Sequence, residues 1–363
     1  MRRIASIAAC VVVATVVAVA GDVVWHSTDT LPLLGKCVDD DATSLRFQRL
    51  PDSLEYKVKR RPLYMLGRHS TGMAIRFASD APEIYLKWKS VEKGAMNIMT
   101  PTAVRGLDMY VLLPDSTWTF ANTGRPDLSS AVTEACVIEN MDPVMREYMV
   151  YMSLYDGVDS LYVGVPDGYH VLMPRIGLPE VEKPVVYYGT SLVHGGCVNR
   201  AGMSPSNQLR RRLNRDVINL GFGGNGQLDL EIAEVIAATP DPGLVVLDFV
   251  ANCSSGQIDT LMVPFVDIIR ASHPDVPILI IECLTHPRCR YDRVMYDATM
   301  RHNDMLRRRY ADLELKYENL YYLPADGLMQ GSEHTVDALH FTDYGAMMFA
   351  DSLEPWFRRL LGL

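Results

Sequence analysis

The run Val185-Val186-Tyr187-Tyr188-Gly189-Thr190-Ser191-Leu192-Val193-His194-Gly195-Gly196-Cys197 decides how this chain is read. Its first four residues are apolar and aromatic, as a fully buried strand requires. Gly189 closes that strand, Ser191 follows on the turn, and small residues lead to a helical segment near Pro205. A serine at the carboxyl end of a buried strand, on the way into a helix, stands where open α/β sheets bind their ligands. Three later stretches look like its partners: Ile218-Asn219-Leu220-Gly221-Phe222-Gly223-Gly224-Asn225-Gly226, Leu247-Asp248-Phe249-Val250-Ala251-Asn252 and Asp337-Ala338-Leu339-His340. The first two sit at the ends of strand-like runs.

Working outward, the pattern predicts strands at 185–188, 217–220, 244–249, 278–282 and 320–323. Helical segments near 204–214, 228–238, 258–272 and 294–312 lie between them, and a last one covers 343–360. Strands alternating with helices imply a mainly parallel sheet covered on both faces, an α/β/α layer arrangement. Before residue 178 the character differs. Residues 56–59, 74–77, 84–89, 148–152 and 160–165 read as short strands, separated by turn residues such as Pro51-Asp52, Asp156-Gly157 and Pro166-Asp167-Gly168. Short strands bounded by turn signals predict an all-β sandwich or jelly roll over 25–178. Pro179-Glu180-Val181-Glu182-Lys183-Pro184 reads as the linker, and 185–363 as the second domain. A length of 363 residues accommodates two domains.

The chemistry these stretches offer is acyl transfer. It needs a nucleophile, a base for its proton and donors for an oxyanion. Ser191 is the candidate nucleophile, His340 the base and Asp337 the group that orients it. An Asp three residues before its His reaches it only if the loop folds back on itself. The N–H groups of Ser191 and Gly224 and the amide of Asn252 are the candidate oxyanion donors. Taken singly, each feature has a plainer reading: a helix cap at Ser191, a turn at 223–226, a loop ion pair at Asp337 and His340. Their order and their positions at strand ends favour catalysis.

These residues resemble the SGNH (GDSL-type) hydrolase superfamily. Gly189-Thr190-Ser191 matches its nucleophile block, with Thr190 in place of the usual Asp. Asn219–Gly224 matches the glycine block and Asp337–His340 the acid–base block. The third block departs: Val250-Ala251-Asn252-Cys253 stands where Gly-x-Asn-Asp is usual. Upstream, Gly106-Leu107-Asp108-Met109-Tyr110 is similar to the Gly-x-Asp-Leu-Tyr motif of a bacterial branch with an N-terminal β domain. The resemblance implies a flavodoxin-like hydrolase domain after a β domain, and a serine ester hydrolase that needs no cofactor. His194, Asp108 and Tyr110 are possible substrate contacts; packing or second-layer roles are the alternative for each.

Composition narrows the partners. A net charge of −9 and the absence of a basic stripe argue against nucleic acid. The triplets Arg210-Arg211-Arg212 and Arg307-Arg308-Arg309 fall on helical segments. No CxxC or HExxH pattern offers a metal site. Residues 1–20 carry Arg2 and Arg3, an apolar run and Ala18-Val19-Ala20, the pattern of a cleaved export signal. An uncleaved anchor or a lipid on Cys10 are the alternatives. Export, to periplasm or medium, is the expectation, with no stable membrane span in the mature chain.

Six cysteines follow the signal segment, so disulfides are allowed. Cys197 follows the nucleophile turn and Cys253 follows Asn252, which suggests a bond between them. Cys283 and Cys289 suggest a loop staple. The expected function is removal of a short acyl group, acetyl foremost, from a carbohydrate or other small ester. An acyltransferase using the same acyl-enzyme and a carbohydrate-binding protein with an inactive hydrolase domain are the alternatives.

Overall fold

The computed structural model describes residues 22–175 and 180–363; the export signal read at 1–20 lies outside the described residues. The amino-terminal half is built from two antiparallel sheets. One orders Val23–Ser27, Val158–Pro166, Ile84–Ser90 and Val132–Ile138. The other orders Val171–Leu172, Ala74–Ser79, Arg146–Tyr151, Leu107–Leu112 and Trp118–Gly124, with Leu33–Leu34 also pairing with Ala74–Ser79.

Side chains alternate across a strand, and the second sheet uses both of its faces. Ile75, Phe77, Tyr148 and Val150 meet Leu86, Trp88, Leu161 and Val163 of the first sheet in one core. Ala74, Met149, Tyr151 and Tyr110 face the other way and pack with Val185, Tyr187 and Leu209 of the second half. This is why Ala74–Ser79 is buried at every position.

The second half holds a five-stranded parallel sheet in the order Arg215–Gly221, Glu180–Gly189, Leu244–Asp248, Ile278–Ile281 and Leu320–Leu323. The first strand in sequence is second in space, so the chain reverses direction across it, and ligands of such sheets bind at the carboxyl ends of the strands there. Val186, Tyr188, Val245, Leu247 and Ile280 pack under the helices Leu230–Ala238, Ser255–Ser272 and Arg293–Glu314. Val185, Tyr187, Val246, Leu279 and Ile281 pack under Pro205–Leu213 and Asp343–Leu361.

Several expectations change. Residues 56–59 form turns and bends, not a strand: Tyr56 is exposed, Val58 is buried against the parallel sheet, and a helix Arg61–Gly67 follows. Leu107–Leu112, Trp118–Gly124 and Val132–Ile138 are strands that the pattern did not single out. Part of the segment read as linker belongs to the strand Glu180–Gly189. Glu180 pairs with Arg215, and regular pairing resumes at Val185. The break in register falls beside Pro184, which has no N–H for a ladder. Cys37, Leu50, Leu54, Leu63 and Tyr64, early in the chain, pack on the parallel sheet with Leu220 and Phe222.

The disulfide expectations fail outright, since all six cysteines are free thiols. Cys197 packs on one face of the parallel sheet and Cys253 on the other, so the sheet itself separates them. Cys283 lies 3.6 Å from the Leu284 carbonyl and Cys289 lies 3.9 Å from the Thr299 hydroxyl, each in its own buried contact. The chain without residues 1–20, denatured with no reductant, is therefore expected to react with six equivalents of a thiol reagent. A titre of four or fewer would show a disulfide.

Candidate active site

Ser191 opens a four-residue helix, Ser191–His194, directly after the strand that ends at Gly189. Thr190 caps it, its hydroxyl accepting from the Leu192 N–H. The Ser191 N–H, at the helix start, has no intrahelical partner. The backbones crowd around this turn. A Cβ on Gly189 would lie 2.6 Å from the Asp248 carbonyl oxygen, and one on Gly221 would lie 2.2 Å from the His194 nitrogen. Asn219 ties the strand ends together. Its NH2 donates to the Val193 carbonyl at 2.6 Å and to the Ser206 hydroxyl at 2.8 Å, and its oxygen accepts from the Gly221 N–H at 2.8 Å.

His340 reaches Ser191 from the loop before the last helix, with Nε2 2.9 Å from Oγ. The loop does fold back on itself. Ala338 takes a left-handed φ of 65°, Val336 N–H donates to the His340 carbonyl at 2.7 Å, and Thr335 bridges to Phe341. Asp337 Oδ2 thereby lies 2.8 Å from His340 Nδ1, while its Oδ1 accepts from the N–H groups of His340 at 2.8 Å and Leu339 at 3.1 Å. Partial burial opposes ionisation of Asp337, but those N–H donors and the imidazole outweigh it and hold the carboxyl below its ordinary value. The carboxylate at Nδ1 fixes the proton there, so Nε2 presents a lone pair to the Ser191 hydroxyl.

A cleft of about 330 Å³ opens above this pair, lined by Ser191, Gly223, Gly224, Asn252 and His340, by Met96, Ile98, Met99 and Tyr155 of the amino-terminal half, and by Leu339. The Asn252 amide is oriented so that both its ends are satisfied. Its oxygen accepts from the N–H groups of Gly224 and Asn225 at 3.2 Å and of Gly226 at 3.3 Å, and its NH2 turns to the side where only acceptors stand. Gly224 has a φ of 67° and open space where a Cβ would point.

The three possible substrate contacts lie behind the cleft wall. His194 is fully buried. Its Nε2 donates to the Leu154 carbonyl at 2.7 Å, so Nδ1 accepts from the Gly223 N–H at 3.3 Å. Burial foremost, then the nearby Arg49 and His69, hold its ionisation well below the ordinary range, so the ring is neutral. Asp108 is also buried and accepts from Arg200 at 2.8 Å, the Gly202 N–H at 2.7 Å and the Thr123 hydroxyl at 2.7 Å. The Tyr110 hydroxyl accepts from the same Arg200 at 2.7 Å. These residues fix the helix Ser191–His194 and the segment that follows it, and do not line the cleft.

Two residues went unnoticed in the sequence. Arg49 is buried and donates to the carbonyls of Asn219 at 3.1 Å, Gly221 at 2.8 Å, His69 at 3.0 Å and Leu66 at 2.6 Å. Tyr155 lines the cleft and stacks on His194 with centroids 4.0 Å apart and planes 8° from parallel. No local signal marks either, because their partners lie far along the chain.

Residues 182–358 match the model of the GDSL-like Lipase/Acylhydrolase family, and residues 23–171 match the model described as the N-terminus of Esterase_SGNH_hydro-type, GxDLY. The chain belongs to the SGNH (GDSL-type) hydrolase superfamily. A crystal structure from Bacteroides ovatus ATCC 8483, titled as a GDSL-like lipase, is 29% identical with a TM-score of 0.87, covering 94% of this chain and 98% of that one. The salicylyl-acyltransferase SsfX3 from a tetracycline biosynthetic pathway is 18% identical with a TM-score of 0.73, covering 95% and 98%. A family two carbohydrate esterase from Cellvibrio japonicus is 11% identical with a TM-score of 0.62, covering 94% and 98%. The last two share the fold. No curated protein matches.

The glycine block of this SGNH protein contains two glycines with different reasons for being glycine. Gly221→Ala puts a Cβ against backbone that cannot retreat and should cost at least about 3 kcal/mol. Gly224→Ala meets nothing, and its cost should be the left-handed strain of about 1–2 kcal/mol. Urea unfolding of the two variants checks the ranking, which a more stable Gly221→Ala protein would reverse.

Proposed function

We propose that this SGNH hydrolase is an exported serine esterase that removes a short acyl group, acetyl foremost, from a carbohydrate or similar ester. One observation carries the esterase reading: Ser191 Oγ, His340 and Asp337 form a continuous relay, with contacts of 2.9 Å and 2.8 Å, at the floor of an open cleft. Carbohydrate as the alcohol is supported by the shared fold of the Cellvibrio japonicus esterase. Export is supported by the pattern at residues 1–20. No helix among the described residues is long and apolar enough to cross a membrane. Residues 25–178 and 185–363 are the proposed units.

In the proposed mechanism His340 Nε2 takes the Ser191 proton as Oγ attacks the ester carbonyl, and Asp337 stabilises the imidazolium. Charge then develops on the carbonyl oxygen. The Ser191 N–H and the Asn252 NH2 receive it, together with the Gly224 N–H. The 3.2 Å contact of that N–H to the Asn252 oxygen is a long neutral hydrogen bond, and a charged acceptor competes with it well. His340 returns its proton to the leaving alcohol, and water repeats the sequence to free the acid.

Ser191→Ala and His340→Ala should each lower turnover of a nitrophenyl acetate by several orders of magnitude with the fold intact, because such residues act as a unit. Asp337→Asn should cost less. Asn252→Ala should lower kcat about a hundredfold to a thousandfold with little change in KM. Steady-state kinetics with circular dichroism checks all four; a Ser191→Ala protein that kept wild-type turnover would end the reading.

A further inference from the structure

The Tyr155 hydroxyl is not used by the mechanism above. Its backbone is held firmly: Tyr155 N–H donates to the Val104 carbonyl at 3.3 Å, and the carbonyl before it takes the His194 Nε2 proton at 2.7 Å. Its ring lies flat on the neutral His194 imidazole. Everything about the side chain is fixed except its polar end, which has no hydrogen-bond partner among the described residues. Tyr155 is part-exposed and lines the cleft beside Ser191, so this donor is free to meet a ligand there.

The position of that hydroxyl is set by two glycines of the cleft. A Cβ built on Gly223 would lie 3.0 Å from the Tyr155 oxygen and 3.6 Å from Ser191 Cβ. A Cβ built on Gly196 would lie 3.2 Å from the same oxygen and 3.2 Å from His340 Cδ2. Cδ2 is the ring carbon bonded to Nε2, the atom that must protonate the leaving oxygen. The phenol oxygen and the edge of the imidazole from which the alcohol would depart thus both face the space beside Gly196. The proposed oxyanion donors are the N–H groups of Ser191 and Gly224 and the Asn252 amide, and the hydroxyl makes no hydrogen bond to any of the three. Burial foremost raises the ionisation of Tyr155 far above neutrality, so the group remains an O–H donor.

We propose that the Tyr155 hydroxyl is a substrate-binding donor that recognises an oxygen, a hydroxyl or ether, on the alcohol part of the ester, selecting polyol and sugar esters over esters of alcohols without such an oxygen. The assignment rests on the esterase reading and gives it an alcohol class. A donor fixed at this place favours esters whose alcohol carries an oxygen to accept from it over analogues lacking one.

The test compares wild type with Tyr155→Phe on two acetates, glycerol monoacetate and p-nitrophenyl acetate. Phe keeps the stack on His194, and the lost hydroxyl has no protein partner, so the melting temperature should hold or rise. On glycerol monoacetate kcat/KM should fall about tenfold to a hundredfold, mainly through KM, as loss of binding shared by ground and transition states requires. On p-nitrophenyl acetate it should not change. With an active wild type, an equal fall on both esters would put the hydroxyl on the reacting carbonyl and overturn the assignment alone. No fall on either would do the same. A wild-type protein inactive on both esters would overturn the esterase reading, and this assignment with it.

Discussion

Backbone crowding at the carboxyl ends of three adjacent strands is the constraint from which the site follows. The strand leading to Ser191 lies between the strands ending at Gly221 and Asp248, and pairs with both. At that edge the chains approach so closely that Gly221 faces the His194 nitrogen and Gly226 faces the Gly189 carbonyl, each with 2.2 Å where a Cβ would sit. The turn after Ser191 is pressed directly onto the glycine block, so Ser191 and the loop of proposed oxyanion donors are held together. Preorganisation of this kind needs no reorganisation when charge develops.

That rigidity is reinforced by polar groups buried on purpose-built partners. Arg49 places its guanidinium against four carbonyls, two of them in the glycine block, and over the ring of Phe222. A buried charge is tolerable only when its donors are used, and here using them fixes the loop. His194 serves the same loop differently. Its neutral ring accepts the Gly223 N–H and donates to the Leu154 carbonyl, joining the glycine block to the β domain. The Gly-x-Asp-x-Tyr segment joins a third point. Asp108 and Tyr110 converge on Arg200, whose guanidinium stacks 3.7 Å over Phe120. Motif residues that look like ligand contacts are, in this fold, the ties between the β domain and the loop that follows Ser191.

What the sequence disclosed follows from the range of the interactions. Strand ends and helices of the second half were legible because period and turn residues are local, and so was the Asp337–His340 pair, three positions apart. The β domain was legible in kind but not in detail. Leu107–Leu112 is buried mostly on both faces, which erases the alternation that marks a strand. The Cys197–Cys253 expectation failed for a related reason. Both residues follow strands that end at the same edge, but the turns between strand and cysteine reset which face each side chain takes, and no pattern in the sequence counts through a turn. Arg49 and Tyr155 were illegible because what defines them, contact with residues about 170 and 40 positions away, is tertiary.

The β domain is therefore better seen as part of the cleft than as an appendage to a hydrolase. Its second sheet buries one face on the sandwich core and the other on the α/β layer, so it cannot swing away without exposing Tyr151 and Met149. The strand Arg146–Tyr151 of that sheet leads into Leu154 and Tyr155, which carry the His194 acceptor and part of the cleft lining. Asp156, next in the chain, accepts from the N–H groups of Glu92 and Gly94 and so holds the segment that leads to Met96, Ile98 and Met99 of the cleft lining. Three consecutive residues thus connect the packing of the sandwich to both the polar and the apolar surface a substrate would meet. The β half thus shapes the cleft, while the strand ends that carry Ser191 belong to the α/β half.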